Sequence, residues 1–148
     1  METSVKLDEL KTRCREAGIP LTQHRIEIYR VLLSTNEHPS PDMIYHRLKD
    51  NLPTLSLATV YNNLVILDRL GLVKKINPLS NEARYDSDLS SHNHFICISC
   101  NTVEDIDSVE VNSFDIPDLP NTEHIILEKS IEFVGICKKC KKDTREEV

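Results

Sequence analysis

Two Cys-x-x-Cys pairs, Cys97/Cys100 and Cys137/Cys140, flank the 36 residues 101–136. Four thiolates so spaced match the tetrahedral donor set of a structural Zn²⁺, and they constrain the fold more than any other feature. Whatever else the chain does, it must bring two strand ends or turns together at these pairs. In a reducing compartment, paired units of this kind read as a metal site before they read as disulfides. Lys138, Lys139, Lys141 and Lys142 surround the last pair and would offset the excess negative charge of four thiolates, which four metal-free buried cysteines would not need. Asn101, directly after Cys100, is a residue type that enters the left-handed backbone region such a turn commonly requires. The fifth cysteine, Cys14, stands alone in a helical pattern and reads as a small buried apolar residue.

A second donor set overlaps the first. "HNHFICISC", His92 to Cys100, holds two histidines as well as two cysteines. In a strand, side chains alternate between faces, so His92 and His94 project one way while Phe95 and Cys97 project the other. One strand can therefore feed two sites. His38, Asp86, His92, His94 and Asp105 form a candidate nitrogen and oxygen set, which without thiolate suits Fe(II), Mn(II) or Zn(II). Only His92 and His94 are persuasive from spacing alone. His38 in "EHPSPD" equally reads as the end of a helix, and Asp86 and Asp105 as surface carboxylates.

At 148 residues with 39% hydrophobic content, the chain suits one domain or two small ones, and two halves would each be of a size that metals or oligomerisation usually supplement. The net charge of −6 argues against a non-specific, strongly basic nucleic-acid binder. Its distribution is uneven: residues 1–85 hold 12 Lys/Arg against 10 Asp/Glu, and residues 86–148 hold 6 against 14. "METSVKLDEL" lacks a signal-peptide pattern and no run approaches membrane-spanning length, so a soluble cytoplasmic protein is expected.

Helical periodicity dominates the first half. Leu7, Leu10, Cys14 and Ala17 define a first helix stopped at Gly18. Thr22 caps a second carrying Ile26, Tyr29, Leu32 and Leu33. Ser40 and Pro41 open a third through Leu48, and Ser56 opens a fourth that ends at Gly71. Leu57, Val60, Leu64 and Leu67 form the apolar stripe of the fourth helix. Its other face carries Ala58, Tyr61, Asn62, Val65 and Arg69, groups suited to a DNA major groove but also to an ordinary solvated face. "LVKKINPLSNEARYD" then reads as a hairpin around Pro-Leu-Ser-Asn. Three helices, a recognition helix and a basic hairpin make a winged helix-turn-helix, and DNA binding becomes the leading reading, although such folds also mediate protein contacts. The expected class is α+β. Residues 1–85 form the winged-helix DNA-binding domain, 86–94 a hinge with metal ligands, and 95–148 a small α/β domain with the four-cysteine site. That last domain takes strands from "HFICIS", "TVEDIDSVEV" and "HIILEKSIEFVGIC", while Pro117 and Pro120 forbid a long helix through 115–121.

Together "LTQHR", "HPSPDMIY", "SLATVYNNL", "GLVKKI", "RYD", "HNHFICISC" and "GICKKC" resemble the Fur family of metal-dependent repressors over nearly the whole chain. The chain is most similar to the peroxide-sensing branch, with Asn62 where iron sensors tend to carry Arg and Asp105 where they tend to carry Glu. It departs from relatives at Val65, often basic in them, and at Asn101, usually Gly. The resemblance implies a homodimer joined through the C-terminal domains and a structural Zn²⁺ on Cys97, Cys100, Cys137 and Cys140. It further implies a regulatory Fe²⁺ or Mn²⁺ on His38, Asp86, His92, His94 and Asp105, and operator DNA read by Tyr61, Asn62 and Arg69. In that branch a histidine ligand is oxidised by hydrogen peroxide, which maps onto His38 and His92. Other readings are a sibling repressor sensing iron, manganese or zinc supply, a small non-haem iron enzyme built on His92, His94 and a carboxylate, and a thiol switch at the CxxC pairs.

Overall fold

The computed structural model describes residues 2–76, 82–112, 123–125, 127 and 129–146. It divides into two compact units, Met1–Leu89 and Ser90–Val148. The expected Pro-Leu-Ser-Asn hairpin tip and the Pro117/Pro120 segment lie outside the described residues. No helix among the described residues is long and apolar enough to cross a membrane.

The first unit is built from four helices, α1 (Glu2–Glu16), α2 (Gln23–Leu33), α3 (Pro41–Leu48) and α4 (Leu57–Arg69), followed by strands β1 (Lys74–Ile76) and β2 (Arg84–Asp86). Local chemistry starts the last three helices. The side chains of Thr22, Ser40 and Ser56 accept from the backbone N–H groups of Arg25, Met43 and Thr59 respectively, supplying partners that the first helical turn lacks. Gly18 and Gly71, both at φ +66, stop α1 and α4. After each, two backbone bonds run back into the helix: Ile19 N to Cys14 O and Gly18 N to Arg15 O, and likewise Leu72 N to Leu67 O and Gly71 N to Asp68 O. That is the Schellman arrangement, which needs a left-handed residue and so favours glycine.

Leu10 and Cys14 of α1, Ile28, Tyr29 and Leu32 of α2, Ile44 of α3, and Val60, Leu64 and Leu67 of α4 form the buried core, with Leu72, Val73 and Tyr85 closing it. Leu57, expected on the buried stripe, is only half-buried, and Asn63 is buried beside Leu64. Asn63 is accommodated because its Nδ2 donates to Thr59 O one turn back, at 2.8 Å. β1 and β2 pair antiparallel, Lys74 opposite Asp86 and Ile76 opposite Arg84, giving the hairpin that follows α4.

The second unit holds a three-stranded sheet in the order β4-β3-β5, with β3 at Asn93–Cys97, β4 at Val103–Ile106 and β5 at Glu132–Gly135. β4 runs antiparallel to β3 and β5 parallel to it. The expected strand over "TVEDIDSVEV" stops at Ile106. Ser108 Oγ accepts from Val111 N at 3.1 Å and starts a short helix, α5 (Val109–Asn112), so a cap outweighs β-branched propensity there. A sixth helix, α6 (Lys138–Glu146), follows β5.

Candidate metal centres and nucleic-acid face

Parallel pairing of β3 and β5 sets Cys97 opposite Gly135, which carries Cys137 past the strand end to the side of Cys97. Beyond β3 the chain turns back sharply, with Asn101 N bonded to Cys97 O and Cys97 N to Thr102 O, each at 2.9 Å. Asn101 takes φ +58 to close that turn, the left-handed role its residue type permits. Cys137 ends the extended segment, and Cys140 lies in the first turn of α6. The result gathers four sulfur atoms within 4.8 Å of one another. Cys100 Sγ and Cys137 Sγ are 3.7 Å apart. A tetrahedron with Zn–S bonds of ~2.3 Å has edges of about 3.8 Å, so the thiols are spaced for the ion.

Their protonation states also favour a cation. The backbone N–H of Cys137 donates to Cys97 Sγ at 3.3 Å and is the main reason that this thiol is pushed down to about 6. The Thr102 hydroxyl, 3.1 Å from Cys100 Sγ, holds that thiol below its usual range. Cys140 goes the other way. Ser99 favours its thiolate, but hydrogen bonds shared with Cys137 and Cys100, together with burial, push it up to about 12. An ion taken up by these thiols would displace the protons they retain. Thr102, invisible as a site residue in the sequence, acts through its bond to Cys100.

The nitrogen and oxygen donors are divided between the two units. In the first, His38 precedes α3 at φ +50 and is 2% exposed, and its Nε2 lies 3.2 Å from Asp86 Oδ2 at the end of β2. The second oxygen of Asp86 accepts from Asp88 N at 2.8 Å, fixing the carboxylate. In the second unit the register places His94 opposite Asp105. Asp105 Oδ1 is 3.1 Å from His92 Nε2 and 3.5 Å from His94 Nε2, and the two rings meet edge to face at 4.6 Å. His92 Nδ1 lies 2.8 Å from the carbonyl of Ser90. With the proton on Nδ1 and donated to that carbonyl, the Nε2 lone pair is left for an ion shared with the Asp105 carboxylate 3.1 Å away. Asn93, between the histidines, is buried and accepts from Ile131 N at 2.9 Å, tying the start of β3 to the chain before β5. Imidazole and carboxylate donors with no sulfur suit Fe(II) and Mn(II).

On α4 the residues Ala58, Tyr61, Asn62, Val65 and Arg69 are all exposed, opposite the buried stripe. Tyr61 and Val65 expose 44% and 54% of their surface, which leaves apolar area as well as amide and guanidinium groups facing solvent.

A winged-helix unit joined to a unit with sulfur and imidazole ligand sets defines a metal-responsive transcription regulator. The sequence pattern of the Ferric uptake regulator family matches residues 16–133, and the chain belongs to that family. It is 34% identical to the peroxide-responsive repressor PerR of Staphylococcus epidermidis over 143 residues, covering 93% of this chain and 92% of the relative. PerR of Staphylococcus aureus strain Mu50 is 33% identical over 135 residues, covering 91% of each. Among solved structures, the Campylobacter jejuni peroxide stress regulator aligns with TM-score 0.65 and 30% identity over 90% of this chain and 98% of that one. The Helicobacter pylori ferric uptake regulator shares the fold, with TM-score 0.81 at 20% identity over 94% of this chain and 93% of that one. The chain is a transcription regulator, which sets aside the non-haem iron enzyme. The four thiols are grouped as a structural Zn²⁺ needs, and the imidazole and carboxylate groups are donors suited to a harder divalent ion such as Fe²⁺ or Mn²⁺.

Proposed function

We propose that this protein is a homodimeric repressor that binds double-stranded operator DNA when its regulatory metal is bound, and that it senses hydrogen peroxide through its histidine ligands. The observation that carries the reading is the convergence of His92 and His94 on one oxygen of Asp105. Relatives named for peroxide response support the choice of signal. Cys97, Cys100, Cys137 and Cys140 hold the structural Zn²⁺. His38 and Asp86 from the first unit join His92, His94 and Asp105 from the second around one Fe²⁺ or Mn²⁺. Because ligands then come from both units, binding favours one domain arrangement by differential affinity, the requirement for a metal-gated switch. Tyr61, Asn62 and Arg69 face the operator.

Fe(II), when bound, would activate peroxide at this place. His38 and His92 are the side chains that would gain one oxygen atom, the imidazole giving up two electrons while the second peroxide oxygen leaves as water; an oxidised imidazole is a poorer donor, so the ion would be lost and DNA released. Ile98, Phe133, Val134 and Ile136 of the second unit are exposed, and apolar side chains left open there are in keeping with dimerisation through this unit. The test is DNA binding by the metal-free, Mn(II) and Fe(II) forms, each with and without peroxide. Expected are weak binding without metal, strong binding with either, and release by peroxide from the Fe(II) form alone. Binding that needs metal but ignores peroxide in both forms leaves the sibling reading, a repressor of iron, manganese or zinc supply. Metal-independent binding contradicts both.

A further inference from the structure

The three residues of β2 each engage the corner that presents His38. Tyr85 N donates to Pro39 O at 3.2 Å, and Asp86 Oδ2 meets His38 Nε2 at 3.2 Å. Arg84 donates from its guanidinium to the carbonyl oxygen of His38 at 3.3 Å, with the same nitrogen 3.4 Å from Met43 Sδ. Its other terminal nitrogen is 3.6 Å from Glu82. Arg84 and Asp86 are two apart on a strand and share a face, so one face of β2 grips the backbone of His38 and its imidazole together.

An arginine in a winged-helix unit would ordinarily be read as a phosphate contact. Arg84 is only 6% exposed, which removes it from that role. Burying a guanidinium is costly unless it is hydrogen-bonded, and a methionine or leucine would fill comparable space without the cost. What the arginine adds is a charge-assisted donor at the carbonyl of a residue whose backbone is otherwise disfavoured. His38 sits at φ +50, and only it and Asn101 among the described non-glycine residues have positive φ. Asn is suited to that region; a histidine there needs surroundings that hold it.

We propose that Arg84 is a positioning residue for the regulatory metal site: it pins the backbone of His38 so that the imidazole is aimed before the ion arrives. The inference rests on the reading of His38 as a ligand, and the experiment separates the two. Full-length protein with its structural zinc retained is prepared as wild type, Arg84→Met, Arg84→Lys and His38→Ala. For each, the Mn(II) dissociation constant, the zinc content, the melting midpoint before Mn(II) is added and the His38 ring NMR signal are measured. Loss of a group that orients a ligand typically weakens metal binding about 10- to 100-fold, and Arg84→Met should fall in that range. Arg84→Lys, which keeps a donor but not the planar fork, should fall between it and wild type. Zinc content should be unchanged, and the His38 ring signal of Arg84→Met should shift or broaden in the Mn(II)-free protein, which a role in bulk stability alone would not cause. Mn(II) affinity in folded Arg84→Met equal to or tighter than wild type overturns the positioning role if His38→Ala loses affinity, and overturns the ligand reading beneath it if His38→Ala does not. Should Arg84→Met fail to fold, Arg84→Lys decides: weakened Mn(II) binding supports the role, and wild-type affinity overturns it.

Discussion

Cys100 is the exposed member of the four-thiol cluster, yet it is held from two sides, by the Thr102 hydroxyl and by Cys137 Sγ. Replacing it with Ser leaves the loop chemistry intact but removes a thiolate. Because ion binding in such a site is folding free energy, Cys100→Ser should lose zinc and melt well below wild type; a zinc-free variant that melts like the parent would contradict a structural role. Acid should do the same reversibly. The Cys97 thiol is lowered to about 6, so its contribution to the metal-free unit is present above its ordinary range and is lost as pH falls through about 6. In the loaded protein, protons compete with the ion for every thiolate. Zinc transfer to a chelator should therefore speed up as pH falls toward 6, with proton uptake, and a pH-independent rate would count against thiolate ligation. The cysteines were legible in the sequence because ligand spacing is written there. Thr102 was not, since a hydroxyl two residues beyond a cysteine becomes a partner only when the Asn101 turn folds back.

Among the elements, α4 carries the clearest division of labour. Val60, Leu64 and Leu67 are fully buried, while Tyr61, Asn62 and Arg69 are exposed. Leu64→Ala should cost about 2–5 kcal/mol in a chemical denaturation experiment, because a buried cavity is left behind. Asn62→Ala should leave stability alone and reduce discrimination between operator and random duplex by ~1–3 kcal/mol, whereas Arg69→Ala should weaken binding to both alike. Equal affinity of all these surface variants for every duplex would remove α4 from the interface. The helix starts at Thr22, Ser40 and Ser56 could be read directly, since a cap is chemistry between residues three apart. What escaped were features decided at a distance. Pairing of β3 with β5 joins residues nearly forty positions apart. α6 begins in "CKKCKK", where no apolar stripe announces a helix, and Asn63 is buried on a face where periodicity asks for a hydrocarbon.

In the whole molecule, as proposed above, metal occupancy and histidine chemistry together decide DNA binding. The proposed histidine ligands are divided between the units, His38 in the first and His92 and His94 in the second. The sequence supplied the donor types, but the left-handed backbone of His38 and its hold by β2 emerge only from the folded first unit. The thiols offer peroxide a competing target, with Cys100 the most accessible of the four. Peptide mass spectrometry of the Fe(II) and Mn(II) forms after peroxide, run beside DNA binding on the same samples, separates histidine sensing from thiol sensing. The expected result is the gain of one oxygen atom on His38 or His92 in the Fe(II) form only, in proportion to DNA release, with Cys97, Cys100, Cys137 and Cys140 unmodified. DNA release that tracks cysteine oxidation while both histidines stay intact would contradict it and put a thiol switch in its place.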